Sequence, residues 1–204
     1  MLEHYLGNDF QKGLRVYLKR HAYGNATTND LWKALGDVSG KHVWDIMAKY
    51  TKQPGYPVII AKKPGHRSVE FEQKRFFANG SKSDKKLSWN VPIEAYSPEA
   101  GRENLLLQYK LDAFSIKSSW LKLNWGQSGF YRVAYSPELW EPLITAVRRG
   151  EIPNLDRIGL LDDSLALTKA GYMKTSQVLD MIAAQEPAST RQGGNGKEFD
   201  YSVW

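Results

Sequence analysis

Histidines are the side chains in this chain best suited to hold a metal ion, and there are four: His4, His21, His42 and His66. A zinc-protease helix places two histidines one turn apart, with a glutamate beside the first, so that both imidazoles face one metal ion. The four histidines do not have this spacing. The dipeptide Glu3-His4 matches only the end of the inverted motif, whose first histidine would lie upstream. We therefore expect no metal ligand in this chain.

Side chains for nucleophilic or cofactor chemistry also follow no known pattern. Cysteine is absent, which excludes thiol catalysis, a disulfide framework and cysteine zinc ligands. No serine lies in a Gly-x-Ser-x-Gly nucleophile elbow, and Gln127-Ser128-Gly129 comes nearest but has the wrong spacing. The sequence has neither a phosphate-binding Walker loop nor a dinucleotide-binding glycine motif. We predict no catalytic, cofactor-binding or metal-binding residue, and hence no assembled active site.

Asp162 and Asp163 are adjacent carboxylates on a predicted helix, and such a pair could bind a cation. Neighbouring helical residues point about 100° apart, which makes a shared ligand geometry unfavourable. We therefore expect one of the two aspartates to contact a basic residue where two domains meet.

Positive charge is concentrated in the first part of the chain. The net charge is +6, and residues 1–90 contain 16 Lys and Arg against 8 Asp and Glu, with the excess greatest between Lys62 and Lys86. Such a basic strip fits either an acidic partner or a solvated strand face. We expect no nucleic-acid partner, because no RNA- or DNA-binding motif accompanies the charge. No apolar run reaches the length of a membrane span.

Residues 1–52 are predicted to be helical, because their apolar side chains recur every three to four residues. Thr27 and Asp30 form a capping-box pattern at the start of one helix, and Gly40 is placed to end it. Pro54-Gly55 is expected to end the last helix of this segment.

Between residues 56 and 135 the apolar period changes from 3.6 to 2, which indicates strands. The predicted strands are Pro57–Ala61, a run through Val69 and Phe71, Leu87–Ala95, Leu105–Leu111, Trp120–Trp125 and Phe130–Tyr135. Asn79-Gly80 predicts a hairpin-like turn. Pro92 cannot donate to a strand ladder, so its strand is expected at an edge or at a bulge. Short strands with no helix between them favour an antiparallel β-sandwich.

Helices are predicted again from Ser136-Pro137-Glu138, an N-cap followed by a first-turn proline, although Pro142 favours a start one turn later. Asn154 is expected to cap the next helix, with Ile158, Leu161 and Leu165 on one side and Gly171 at its end. A last helix is predicted over Thr175–Gln185, and a polar, glycine-rich loop over residues 187–196.

The predicted fold class is α+β and multidomain, with a helical segment, an antiparallel β-sandwich and a second helical segment. The domain boundaries follow the changes in period, at residues 1–55, 56–135 and 136–204.

Five segments, in this order, resemble the M1 family of zinc aminopeptidases. The first two resemble the helices that close its thermolysin-like catalytic domain, and the third its crossing into a β-sandwich. The fourth has two pieces, which resemble a strand of that sandwich and its closing strand. The fifth resembles the opening of a C-terminal helical domain. The segments are Met1–Gly7, Tyr17–Trp32, Gln53–Val58, Gln73–Phe76 together with Asn124–Tyr135, and Leu155–Asp163.

The resemblance implies a four-domain enzyme that removes N-terminal residues from peptides with a zinc-activated water. In that family the zinc ligands, the general base and the amine-binding loop lie upstream of the segments matched here, and the catalytic tyrosine falls just before the position of Met1. We therefore expect a fragment that lacks every catalytic residue. It would be inactive alone, with zinc and peptide substrates belonging to the complete enzyme and this chain serving as scaffold and cavity wall.

An alternative is a stand-alone β-sandwich interaction module that uses its basic edge to bind partners. The two hypotheses differ over the apolar helix face formed by Phe10, Leu14 and Tyr17. In a fragment this face would be exposed and would promote self-association, whereas in a complete module it would be covered. The lack of cysteine suits a cytoplasmic protein. The sequons at Asn25 and Asn79 leave secretion open.

Overall fold

The computed structural model describes residues 1–65, 68–81, 87–115 and 118–185. Its helices are α1 (Leu2–Leu6), α2 (Asn8–Arg20), α3 (Thr28–Ser39), α4 (Val43–Lys52), α5 (Pro137–Arg148), α6 (Asn154–Lys169) and α7 (Thr175–Gln185). Its strands are β1 (Pro57–Lys62), β2 (Ser68–Arg75), β3 (Val91–Ser97), β4 (Gly101–Leu107), β5 (Leu111–Ser115), β6 (Lys122–Leu123) and β7 (Arg132–Tyr135). None of the helices in these ranges has the length and apolar character to cross a bilayer.

The first four helices form a small unit with its own core, built from Leu6, Leu35 and Val43. The capping box predicted for α3 is confirmed, because the Asp30 carboxylate accepts hydrogen bonds from both the backbone N–H and the hydroxyl of Thr27. Gly40 ends α3 with a φ of 67°, as expected for a left-handed cap.

Helices α2 and α3 approach each other closely at Gly13. A Cβ atom added there would lie 2.7 Å from Cδ2 of Leu35 and 3.0 Å from its Cα. Only glycine therefore allows the backbone of α2 to pack at this distance against α3.

Strands form two sheets that enclose one core, which confirms the α+β fold class. One sheet has the order β5-β2-β1-β7 and the other the order β4-β3-β6. All but one of the pairings given for these strands are antiparallel, and the exception is β1 with β7, which run parallel. The predicted antiparallel sandwich is confirmed, with this one parallel pair within it. Strand β7, which pairs with β1, follows all three strands of the second sheet along the chain.

Three local strand predictions also need correction. The run Leu105–Leu111 is divided, since β4 ends at Leu107 and β5 begins at Leu111. Pro92 lies in the central strand β3, and β6 accompanies that strand only opposite Ala95 and Tyr96. Pro92 therefore needs no ladder partner on the β6 side. The Asn79-Gly80 turn joins strands of different sheets and is not a hairpin.

The main core extends from both sheets into α5, α6 and α7 without a break at residue 135. Ser136 donates its backbone N–H to the carbonyl of Ala61 on β1 at 2.9 Å, and α5 begins directly afterwards. The helix passes through Pro142, so the expected later start is wrong. The predicted domain boundary between residues 135 and 136 stays a prediction. The segments on its two sides share one hydrophobic core.

The side of α6 that holds Ile158 and Leu165 is not the side that it buries. Ile158 and Leu165 are 45% and 44% exposed, whereas Leu160, Ser164 and Leu167 are buried. The helix begins at Asn154 with Pro153 as its N-cap, one residue before the expected cap. Helix α7 has the predicted bounds, and the predicted loop at residues 187–196 lies outside the described residues.

Gln73 links the two sheets through its fully buried side chain. Its Nε2 donates to the carbonyls of Trp89 and Tyr109 at 2.9 and 2.8 Å, and its Oε1 accepts the backbone N–H of Trp89 at 2.7 Å. The amide thus replaces backbone partners for the segments that lead into β3 and out of β4. A buried polar side chain of this kind is stabilising only while all its partners are present.

We expect Gln73→Leu to lower the free energy of unfolding by about 2–4 kcal/mol, because it leaves a buried N–H and two carbonyls without partners. Urea denaturation of the variant and of Gln108→Leu, a matched change at an exposed glutamine, measures the effect. Equal midpoints for the two variants would contradict this role for Gln73.

Candidate functional site

Residues considered for metal or nucleophilic chemistry do not converge in the structure. Nδ1 of His4 lies 2.9 Å from Oε2 of Glu94, and Nδ1 of His42 lies 3.9 Å from Oδ2 of Asp45. Within the described ranges, no three His, Asp or Glu side chains are placed to hold a metal ion. His66 lies outside those ranges.

Ser128 is engaged in a structural contact. Its hydroxyl donates to Oε2 of Glu94 at 3.4 Å, the same oxygen that His4 contacts. A serine nucleophile needs an adjacent general base that accepts its proton, most often a histidine in direct contact with the hydroxyl. Here serine and histidine both contact the carboxylate, an arrangement that links α1 and the loop before β7 to strand β3.

The densest group of charged side chains lies where the sheets meet α6, as predicted for the Asp162-Asp163 pair. Nη1 of Arg132 on β7 donates to Asp162 at 2.7 Å and to Asp163 at 2.8 Å. A contact between one aspartate and a basic residue was expected, and both aspartates make it. The two carboxylates share one guanidinium nitrogen, and the expectation that they form no shared ligand site for a bound cation stays a prediction.

Asp163 is the more deeply placed of the two aspartates. Its Oδ2 accepts the backbone N–H of Val133 at 3.0 Å, and its side chain is 14% exposed against 68% for Asp162. Burial raises the pKa of the Asp163 carboxyl to about 6, although the bonds from Val133 and Arg132 act in the opposite direction. Asp163 therefore joins strand β7 to helix α6 through both of its oxygens.

A second ion pair lies deeper in the same junction. Nζ of Lys122 on β6 lies 3.2 Å from Oδ1 of Asp156 on α6, and both side chains are 2% exposed. The ammonium also donates to the carbonyls of Leu123 and Asn124 at 2.6 and 3.2 Å. Burial lowers the pKa of Lys122, and the attraction of Asp156 opposes that change.

A tight turn between β6 and β7 brings the backbone to Asp156. The N–H of Gly126 donates to both carboxylate oxygens of Asp156, at 2.9 and 3.1 Å. Asn124, Gly126 and Gln127 have φ angles of 55°, 70° and 53°. The asparagine tolerates this left-handed conformation because its Oδ1 accepts the N–H of Gly129 at 2.7 Å.

Gly159 on α6 makes room for this turn. A Cβ atom added at Gly159 would lie 2.0 Å from Cδ of Gln127, so the helix and the turn are in contact there. The glycine lies one helical turn from Asp156, on the stretch of α6 that meets the sheets.

The junction is a structural centre, since its charged groups bind one another and the backbone. Lys122, Arg132 and Asp156 were missed by sequence reasoning. The available signals were a lysine between two buried leucines and an acid in the first turn of α6, four residues before buried Leu160. Neither signal identifies its partner, because the partners lie about 30 residues apart.

Removing the charge of Asp156 is expected to destabilise the chain far more than removing that of Asp162. Asp156→Asn leaves a buried ammonium uncompensated, which costs about 3–5 kcal/mol of unfolding free energy. Asp162→Asn removes an exposed partner and costs about 1 kcal/mol or less. Urea denaturation at neutral pH measures the free energy of unfolding of both variants and of the unmodified chain.

A double variant tests whether the charge itself is responsible. Lys122→Met combined with Asp156→Asn should recover part of the stability lost in Asp156→Asn, because no unpaired charge remains. A double variant less stable than Asp156→Asn would argue against this explanation.

Comparisons with known proteins match both ends of the chain. Residues 1–50 match the family described as "Peptidase family M1 domain", and residues 120–204 match the "ERAP1-like C-terminal domain". The chain is similar over its whole length to the puromycin-sensitive aminopeptidase of Caenorhabditis elegans, at 37% identity, and to Aminopeptidase M1 of Arabidopsis thaliana, at 39%. Over 89% of its length it is 35% identical to the Tricorn protease-interacting factor F2 of Thermoplasma acidophilum.

These relatives are much longer proteins. The chain spans 22% of the worm protein, 24% of the plant protein and 22% of the archaeal protein. Both ends of the chain match these family descriptions, and all 204 residues are similar to aminopeptidases. This chain belongs to the M1 family of aminopeptidases.

Proposed function

We propose that this chain is the scaffold part of an M1 zinc aminopeptidase, holding the helices that follow the catalytic centre in a fixed position relative to the C-terminal helices. The observation that carries the proposal is the buried pair Lys122–Asp156, 3.2 Å apart, at the junction of the sheets and α6. Opening that junction would separate two buried opposite charges, and each would then lack its partner, which costs free energy. The sheets and α5–α7 therefore act as one rigid spacer.

Helices α1–α4 have their own small core, and Tyr50 on α4 packs against the main core. Their contacts with the segment before β3 are polar: Lys49 donates to Oδ1 of Asn90 at 2.9 Å, and Gln53 donates to the carbonyl of Ser88 at 3.1 Å. A polar contact of this type allows more relative movement than a shared apolar core. In the complete enzyme we assign these helices to the wall of the cavity that receives peptide substrates.

Zinc chemistry is assigned to the part of the enzyme outside this chain. M1 enzymes use zinc to activate the attacking water, which requires several ligands converging on one ion. The histidines described here do not fit that requirement, because His4 and His42 each contact a single carboxylate and His21 lies beside the ring of Tyr17. We therefore derive no catalytic step from these residues and propose that the chain is inactive alone.

A stand-alone interaction module with a basic edge is the alternative. Lys62 and Lys74 belong to the basic strip, and both form ion pairs with Glu72, at 3.2 and 2.9 Å. Part of the strip is therefore neutralised within the sheet, which leaves less charge for a partner. This observation favours the scaffold proposal. The cytoplasm remains our proposed compartment, on the absence of cysteine.

Self-association was proposed through Phe10, Leu14 and Tyr17, and these side chains are half-buried in the structure. More exposed apolar side chains lie on the C-terminal helices, among them Leu155, Ile158, Leu165, Leu179 and Ile182. We therefore extend the proposed self-association surface to α6 and α7, where five such side chains occur on two neighbouring helices.

The exposed apolar side chains are expected to make the chain bind a hydrophobic dye. Ile158→Lys combined with Leu179→Lys should reduce dye fluorescence and shift the chain towards the monomer in sedimentation, because charge replaces apolar surface. Leu18→Lys, a change at a 65% exposed leucine on α2, is the matched control. A larger effect from the α2 change would place the surface elsewhere.

The purified chain is expected to bind zinc at well below one ion per chain and to release no product from aminoacyl substrates. Metal analysis after dialysis and a fluorogenic aminopeptidase assay with added zinc measure both properties. A zinc-dependent rate that persists through repeated purification would refute the proposal that the chain is inactive alone.

A further inference from the structure

Five charged side chains meet at the junction between the sheets and α6. They comprise two cations, Lys122 on β6 and Arg132 on β7, and three carboxylates, those of Asp156, Asp162 and Asp163 on α6. With every group ionised, the cluster carries one negative charge in excess. An unbalanced charge at a site partly shielded from water is unfavourable, so such a cluster tends to take up a proton.

The contacts within the cluster indicate which carboxylate takes the proton. Asp156 is satisfied by Lys122 and by the N–H of Gly126. Asp162 is 68% exposed, so water stabilises its charge. Asp163 is the remaining candidate, since it is largely buried and shares its cation, Arg132, with Asp162.

Each packed element presents charged or titratable groups to Asp163. From β7 these are Arg132, which contacts the Asp163 carboxylate directly, and Tyr135, whose hydroxyl interacts electrostatically with that carboxylate. Strand β6 contributes Lys122, at longer range. On α6 itself lie Asp162 and Asp156. The two carboxylates favour the neutral form of Asp163, and the two cations oppose it.

We propose that Asp163 binds a proton at mildly acidic pH, and that this makes the attachment of α6 to the sheets pH-responsive and firmer below neutral pH. The backbone N–H of Val133 still bonds to the neutral carboxyl, and Arg132 keeps its contact with Asp162. Protonation thus removes the excess charge without removing the hydrogen bond that joins β7 to α6.

Linkage gives the direction of the effect. Burial raises the pKa of Asp163 from its ordinary value of 3.8 to about 6 in the folded chain. A raised folded-state pKa means that the folded chain binds the proton more tightly than the unfolded chain. The associated stability is fully present below pH 3.8 and is lost as the pH rises through about 6.

A direct test is an NMR titration of the Asp163 side-chain carboxyl carbon in the complete 204-residue chain. We expect a midpoint near 6 in the unmodified chain. Asp162→Asn should lower that midpoint, because it removes a neighbouring negative charge and leaves Arg132 to Asp163 alone. A midpoint of about 4 in the unmodified chain, the ordinary value for aspartate, would overturn the proposal. So would an unchanged or higher midpoint in Asp162→Asn.

A second test measures stability by urea denaturation between pH 5 and pH 7. We expect the folding equilibrium constant of the unmodified chain to fall about tenfold over this range relative to that of Asp163→Asn, which cannot titrate at this position. Asp162→Asn keeps the titrating carboxyl and serves as the control that retains a pH dependence. If the ratio of the folding equilibrium constants of the unmodified chain and of Asp163→Asn does not change with pH, the proposal is overturned.

Hydrogen exchange at the Val133 amide provides the same information if Asp163→Asn does not fold. This amide donates to Asp163, so its protection reports on the attachment of α6. In the unmodified chain we expect local opening, corrected for intrinsic exchange, to be several-fold more frequent at pH 7 than at pH 5. Opening that is equal at both values, or more frequent at pH 5, would contradict the inference.

Discussion

Lys122 holds an ammonium group where water does not reach, and the cost of that burial must be offset by Asp156 and two backbone carbonyls. This constraint determines how the β6–β7 turn and helix α6 meet. Asp156 has to lie at the first turn of α6 and also accept the N–H of Gly126, so the turn must present its backbone to the helix. Gly159, one turn along, leaves the space for that approach. The geometry of the junction thus follows from satisfying one buried charge.

The two halves of the chain are held together by different interactions. Between the sheets and α5–α7 there is a continuous apolar core, and the Lys122–Asp156 ion pair is buried beside it. Between α1–α4 and the sheets there are polar bonds, such as that of His4 with Glu94, and Tyr50 on α4 packs against the main core. Apolar burial is non-directional and resists separation, whereas exposed polar contacts exchange with water at little cost.

Membership in the M1 family is compatible with the absence of converging metal ligands among the described residues, because the chain spans less than a quarter of the length of the worm, plant and archaeal relatives. Chemistry requires a few groups at fixed distances, and fixed distances require a frame that does not deform. In this chain the Gln73 side chain bonds to the segments before β3 and after β4, and the charged junction holds α6 against the sheets. The structural centre and the catalytic centre of such an enzyme need not coincide.

What the sequence alone determined was local. The Thr27–Asp30 cap, the left-handed end at Gly40 and the extent of α7 depend on residues within a turn or two of each other. The family resemblance likewise came from short ordered motifs. Only the tertiary structure decided that β1 pairs with distant β7 in parallel, that α6 buries Asp156 and exposes Ile158, and that Arg132 serves two aspartates. Those outcomes depend on partners far apart in the chain. In α6, the side that carries Asp156 also carries Leu160 and Leu167, and burying that side pairs the charge of Lys122.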